Sequence, residues 1–281
     1  MLHDWKLSKT SRFREHSIKY GIKGSGPAVV LVHGTPWSSY NLRHLVDRLS
    51  LSYSVYYYDL LGYGQSAKPD ADVSLGIQNQ VLEHLLKEWG LYQPAIIGHD
   101  FGGSTVLRTH LLNQFEFSKI VLIDPVAVSP WGSPFFNHVK AHETAFSGVP
   151  DYIHDAIVRA YIDTAAYAAL EPSIADAIVA PWTGEAGKVA FYRQIAQASS
   201  RFTEEVQPLY GDITVPVLIL WGQEDTWIPV DKGVELHQMI PGSIFHTITD
   251  AGHLVIEERP EQLLQLVIPF LKDEQKKNAV C

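Results

Sequence analysis

The chain has 281 residues, 46% of them hydrophobic and 19% charged, the composition of an ordinary globular protein rather than a disordered or low-complexity one. Lys and Arg total 22 against 31 Asp and Glu, and the net charge of −9 disfavours nucleic acid and anionic membranes as partners. The one cysteine, Cys281, excludes an internal disulfide and a Cys-rich zinc module and fits a reducing compartment.

From Met1 to His16 there is no apolar run to serve as a signal-peptide core. No stretch approaches the roughly 18 apolar residues of a membrane span. A soluble, cytoplasmic protein is expected, with its oligomeric state left open. The length allows one large domain or a core with a subdomain, enough chain to bury about three-quarters of its unfolded surface.

In chain order, Arg12–Gly26 carries a Gly-rich turn and predicts antiparallel edge strands. Short apolar, β-branched runs follow at Ala28–Val32, Ser54–Leu60, Pro94–Gly98, Lys119–Asp124, Val215–Gly222 and Ser243–Ile248. Runs this apolar predict strands covered on both faces, as in a parallel sheet. Between them lie helical patterns. In Leu75–Trp89, Ile77, Val81, Leu85 and Trp89 recur at helical spacing, and in Glu261–Leu271 the face is Leu263, Leu266, Val267 and Phe270. The alternation predicts a doubly wound α/β sheet. From Val126 to Ile213 no good strand appears. That segment is helix-like, broken by prolines and rich in aromatics. It reads as a helical cap at 127–212, inserted into a core of 1–126 and 213–281 over the sheet's carboxyl edge, where ligands bind in such folds.

After the strand ending at Ile97 comes Gly98-His99-Asp100-Phe101-Gly102, then a helical stretch. A strand, a G-x-nucleophile-x-G turn and a helix form a nucleophile elbow, here with Asp100 as the nucleophile. An aspartate at such a turn also serves as a helix N-cap, so the motif needs partners elsewhere.

Those partners are present. His33-Gly34-Thr35-Pro36 follows the first long strand. Asp59-Leu60-Leu61-Gly62-Tyr63-Gly64-Gln65-Ser66 follows the next. Gly222-Gln223-Glu224-Asp225 and Gly252-His253 each follow a later strand. From Val29 to Leu271 the chain thereby resembles the α/β-hydrolase superfamily, specifically its aspartate-nucleophile branch of epoxide hydrolases and haloalkane dehalogenases. The order nucleophile, acid, histidine is that of the fold. The resemblance implies Asp100 as nucleophile, His253 as the base that activates water, Asp225 as the acid that orients His253, and the N–H groups of Thr35 and Phe101 as the oxyanion hole. Asp124, at the end of the preceding strand, competes with Asp225; Asp225 is favoured. His33 and His99 are expected to support their turns. No cofactor or metal is implied; the expected partners are a small-molecule substrate and water.

The aspartate selects the chemistry. A carboxylate attacking an acyl carbon forms an anhydride, whereas at a saturated carbon it forms an alkyl ester that water can then cleave. Epoxide opening needs a proton donor facing the nucleophile, which the resemblance places on cap tyrosines; halide release needs N–H donors. Phe101 stands where dehalogenases carry tryptophan, and Thr35 where they carry asparagine. Trp37, Trp131 or Trp182 remain possible indole donors. Phe191-Tyr192-Arg193 resembles the W-Y-R segment bearing a ring-opening tyrosine, so Tyr192 is the first donor expected and Tyr152 the second, ahead of Tyr161. No arginine follows Asp100, unlike fluoroacetate dehalogenases. Trp37, Trp131, Phe135, Phe136 and Trp182 are expected to line the pocket, and a neutral, partly hydrophobic substrate follows. Hydrolysis of an epoxide to a diol is the leading expectation. A haloalkane dehalogenase, an esterase or lactonase, and a receptor that binds without turnover are the rivals.

Overall fold

The computed structural model describes residues 5–273; Cys281 lies outside them. The chain opens with β1 (Lys9–Phe13), β2 (His16–Lys23) and β3 (Ala28–Val32), then α1 (Arg43–Leu49), β4 (Ser54–Tyr58), α2 (Leu75–Glu88), β5 (Ala95–His99), α3 (Phe101–Leu111) and β6 (Lys119–Ile123). Six helices follow: α4 (Pro134–Ala141), α5 (Glu143–Ser147), α6 (Asp151–Asp163), α7 (Pro172–Val179), α8 (Gly184–Gln197) and α9 (Arg201–Glu204). The chain then returns to the sheet with β7 (Val217–Gly222), α10 (Asp231–Met239), β8 (Ile244–Ile248), α11 (Val255–Glu258) and α12 (Pro260–Lys272). Among the described residues no helix is long and apolar enough to cross a membrane.

All eight strands form one sheet in the order β1-β2-β4-β3-β5-β6-β7-β8. The pairs β1–β2 and β2–β4 are antiparallel, as the Arg12–Gly26 segment predicts, and the others are parallel. Side chains along a strand alternate between faces, and here both faces are buried. Val30, Val32, Ile96, Ile120, Leu122 and Ile219 enter one apolar core. Val29, Leu31, Ile97, Val121, Ile123, Leu218 and Leu220 enter the other. Helices α2 and α3 contribute to the first core, and α1, α11 and α12 to the second. This two-sided burial is why the strands read as unbroken apolar runs.

Strand order reverses between β3 and β5: the chain leaves β3 for β4 on one side and returns to β5 on the other. Crevices at such switch points, beyond the carboxyl ends of the strands, are where α/β sheets hold ligands. Val32 pairs with Gly98 in register, so the turns after β3 and β5 emerge side by side. That register brings Thr35 to Asp100.

Candidate active site

Asp100 occupies a strained position between β5 and α3, with φ 54° and ψ −120°. A non-glycine residue held at positive φ costs of order 1–3 kcal/mol and persists only where the surroundings impose it. The flanking glycines are those surroundings. A Cβ at Gly98 would meet the Gly102 carbonyl at 2.6 Å, and one at Gly102 would collide with the Val32 carbonyl. Only bare backbone lets strand, turn and helix close this tightly.

The Asp100 carboxylate is divided between two partners. Its Oδ1 accepts the backbone N–H of Thr35 at 2.6 Å. Its Oδ2 lies 3.1 Å from His253 Nε2, and His253 Nδ1–H donates to Asp225 Oδ2 at 2.8 Å. Asp225 Oδ1 accepts the N–H groups of Trp227 and Ile228 at 2.8 and 2.9 Å, which fixes the carboxylate behind the imidazole. Phe101, the other expected oxyanion donor, opens α3 beside Asp100 and lines the same cavity. Burial pushes His253 down, but the Asp225 charge and the hydrogen bonds to Asp100 and Asp225 outweigh it and hold its pKa well above the ordinary imidazole value.

Two further histidines support turns. His33 donates through Nδ1–H to the Gly34 carbonyl and accepts the Leu60 N–H at Nε2, tying the turn after β3 to that after β4. His99 donates Nε2–H to the His253 carbonyl, and burial, reinforced by the His253 charge, pushes its pKa down to about 4. Asp59, just after β4, also joins the segments that follow β3 and β4: it accepts the N–H groups of Ser39 and Gln65.

Asp225, not Asp124, faces His253. Asp124 gives one oxygen to the Gly222 N–H at 2.8 Å, and its other oxygen is buried without a partner among the described residues. Burial, and then the Asp225 charge, hold its carboxyl well above the usual range.

The cavity over Asp100 is lined by Thr35, Phe101, Val126, Trp131, Gly132, Ser133, Phe136, Tyr161, Trp227 and Ile228. It measures about 40 Å³, room for roughly three water molecules. Of the five aromatics expected there, Trp131 and Phe136 are present. The other three stand one layer back. Trp37 is stacked behind Trp227 at 5.6 Å. Phe135 backs Tyr161 at 4.9 Å. Trp182 is a strut whose Nε1–H donates to the Pro36 carbonyl at 2.7 Å.

Both expected tyrosine donors need correction. Tyr152 is 73% exposed on α6. Tyr192 is fully buried, and its hydroxyl donates to His154 Nδ1 at 3.0 Å because His154 Nε2–H is committed to the Trp182 carbonyl. Neither lines the cavity. The tyrosine that does is Tyr161. At about 100° per residue, the nine residues from Tyr152 to Tyr161 amount to two and a half turns, so the two occupy opposite faces of α6. No hydrogen-bond partner for the Tyr161 hydroxyl is found among the described residues, and its ring stacks on Trp227 at 4.4 Å. Trp227 stacks in turn on His253 at 5.1 Å. Sequence reasoning missed Trp227, although an aromatic two residues after the proposed acid was a usable signal.

An eight-stranded, mostly parallel sheet with a strained turn at its switch point defines an α/β-hydrolase fold. The chain belongs to the alpha/beta hydrolase family, whose model matches residues 29–266. It is 27% identical over 274 residues to an uncharacterised hydrolase, YugF, of Bacillus subtilis, covering 87% of this chain and 89% of that one. It is 23% identical over 292 residues to epoxide hydrolase 3 of Xenopus tropicalis, covering 97% and 78%. Among solved structures, an α/β-hydrolase-fold protein from Burkholderia ambifaria superposes with a TM-score of 0.92 at 45% identity, over 94% of this chain and 98% of that one. The haloalkane dehalogenase DatA of Agrobacterium tumefaciens shares the fold, with a TM-score of 0.80 at 20% identity over 94% and 95% of the chains.

Proposed function

We propose that this protein is a cofactor-independent hydrolase that opens a small, neutral, partly hydrophobic epoxide to a diol through an alkyl ester on Asp100. The observation that carries the reading is the divided carboxylate. Thr35 N–H holds Oδ1, and Oδ2 is left beside His253 at the cavity. In this reading residues 127–212 are a helical cap over a core of 1–126 and 213–281, and the cap supplies the proton donor.

In the first step Asp100 Oδ2 bonds to an epoxide carbon, the ring C–O bond breaks, and the alkoxide takes the Tyr161 hydroxyl proton. Asp100 is then neutral. His253 loses the anion that stabilised its imidazolium and passes a proton, through solvent, to the Tyr161 phenolate. In the second step neutral His253 takes a proton from water as the water oxygen bonds to Asp100 Cγ. Charge collects on Oδ1, where Thr35 N–H already points. The ester bond breaks, the departing alkoxide takes the remaining hydroxyl proton from Asp100, and the starting charges return.

Epoxide is favoured over halide by the donors that line the cavity. Trp131 Nε1–H is committed to Thr203 Oγ1, and Trp227 Nε1–H to Thr164 Oγ1, both at 2.9 Å. The Tyr161 hydroxyl has no hydrogen-bond partner among the described residues and suits an alkoxide. The apolar lining, with no lysine or arginine among the described residues that form it, suits a neutral substrate. Epoxide hydrolase 3 of Xenopus tropicalis, among the sequence relatives, is consistent with this chemistry.

The test uses His253→Phe, which blocks the second step. The variant is incubated separately with propylene oxide and bromopropane, and the intact protein is weighed. An epoxide adduct on the Asp100 peptide is expected. A bromopropane adduct alone would move the reading to dehalogenation, and no adduct from either would reject the ester.

A further inference from the structure

The turn that carries the Thr35 N–H is held from above by a side chain that sequence reasoning did not single out. Gln194 lies on α8 and is only 2% exposed. Its Oε1 accepts two hydroxyl donors, Thr35 Oγ1 at 2.7 Å and Tyr63 OH at 2.9 Å. Its Nε2 is buried without a partner among the described residues, so these two bonds are what anchor the amide. One residue thereby joins α8, the turn after β3 and the loop after β4. The Thr35 hydroxyl proton is spent on Gln194, which leaves the Thr35 backbone N–H as the group that serves Asp100 Oδ1.

We infer that Gln194 is a positioning residue for the second chemical step: it fixes the Thr35 turn so that its N–H meets Asp100 Oδ1. This rests on the Asp100 ester reading. The two steps load Oδ1 in opposite ways. While the ester forms, Oδ1 loses negative charge, so the Thr35 N–H favours the resting carboxylate and does not assist. While the ester is hydrolysed, Oδ1 gains a full negative charge, and the same N–H stabilises the transition state. Loosening the turn therefore slows hydrolysis of the ester and spares its formation, a split that a general loss of packing does not produce.

Pre-steady-state mixing with propylene oxide, followed by quenching and intact mass, gives both rate constants. For Gln194→Leu we expect ester formation within about twofold of the unmodified protein and ester hydrolysis slower by about tenfold, the equivalent of one well-placed hydrogen bond. The alkylated form then accumulates at steady state. Thr35→Val, which deletes the hydroxyl and keeps the N–H, is expected to reproduce the effect, and the double variant to add nothing further. Equal losses in both rate constants, unchanged hydrolysis, or effects that multiply in the double variant would overturn the inference. Ester formation itself reports that the variant's site is folded. His253→Phe separates the two levels. If that variant forms no adduct with propylene oxide, the ester reading fails. If it does and Gln194→Leu shows no split, the role of Gln194 alone fails.

Discussion

Tyr161 and Trp227 lie nearly parallel, 4.4 Å apart and inclined by 20°, joining a helix of the β6–β7 insertion to the loop that carries Asp225. The contact sets the phenol at the cavity over Asp100, on the side of His253. Tyr161→Phe removes one oxygen and keeps the stack. It is expected to lower epoxide turnover by about 10²-fold or more, the typical worth of a general acid. Tyr152→Phe, on the exposed face, is expected to leave turnover unchanged. Tyr192→Phe deprives buried His154 Nδ1 of its donor and should cost stability, about 1–3 kcal/mol, with turnover largely retained below the melting point. Parallel assays and melting curves of the three variants check this.

Asp225 and Asp124, both buried near His253, should behave oppositely. Asp225→Asn removes the carboxylate that orients and charges the imidazole, and turnover is expected to fall by about 10³-fold. Asp124→Asn keeps an acceptor for the Gly222 N–H and is expected to leave turnover within about threefold. Its effect is on stability. The Asp124 carboxyl, raised by burial and the Asp225 charge, binds its proton more tightly folded than unfolded. It therefore opposes folding increasingly as pH rises above the unfolded value of about 3.9. Asp124→Asn should be the more stable protein at neutral pH, with an advantage that shrinks as pH falls toward that value. Chemical denaturation across pH measures the difference.

His253 has linkage of the same sign. Its pKa is raised in the folded state, so its contribution to stability is complete below the unfolded value of about 6.5 and lost as pH rises through the folded one. Asp100→Asn removes an anion 3.1 Å away. The imidazole is then expected to titrate at lower pH, seen by NMR, and the decline of stability to begin at lower pH. An unchanged titration would mean that Asp100 does not hold the proton on His253, and esterification would then fail to release it.

Trp131 sets one wall of a small cavity. It packs against Phe101 at 5.6 Å and is tethered through Nε1 to Thr203. Trp131→Ala should shift the preferred substrate to longer epoxides, raising kcat/KM for hexene oxide relative to propylene oxide by about tenfold or more. A ratio unchanged from the unmodified protein would place the size limit elsewhere.

Much of this was legible in the chain because it rests on period and order. The strand residues that alternate between two cores read as apolar runs, and Gly98 to Gly102 announced a turn that only small residues permit. Asp100, Asp225 and His253 follow the carboxyl ends of β5, β7 and β8, so the sheet brings them together. The insertion resisted the same reasoning. Its prolines mark where helices begin, at Pro134 and Pro172, but which face of a helix meets the cavity depends on packing between helices. Tyr152 and Tyr161 share one helix, and only the turn count together with the Trp227 stack distinguishes them. The Tyr192 hydroxyl is committed to His154, a partner 38 positions away that no motif announces. Gln194 carries no motif; its role comes from contacts to Thr35 and Tyr63, 159 and 131 positions distant.

The most direct measurement is a single turnover of propylene oxide in heavy-oxygen water, with protein in excess, followed by mass analysis of the peptide that contains Asp100. Hydrolysis of an Asp100 ester leaves one solvent oxygen in the carboxylate, so the peptide should gain one heavy oxygen and the first-turnover diol should carry none. Label in the diol with an unlabelled peptide would mean that water attacks the substrate directly and that Asp100 is a base, which would contradict the ester.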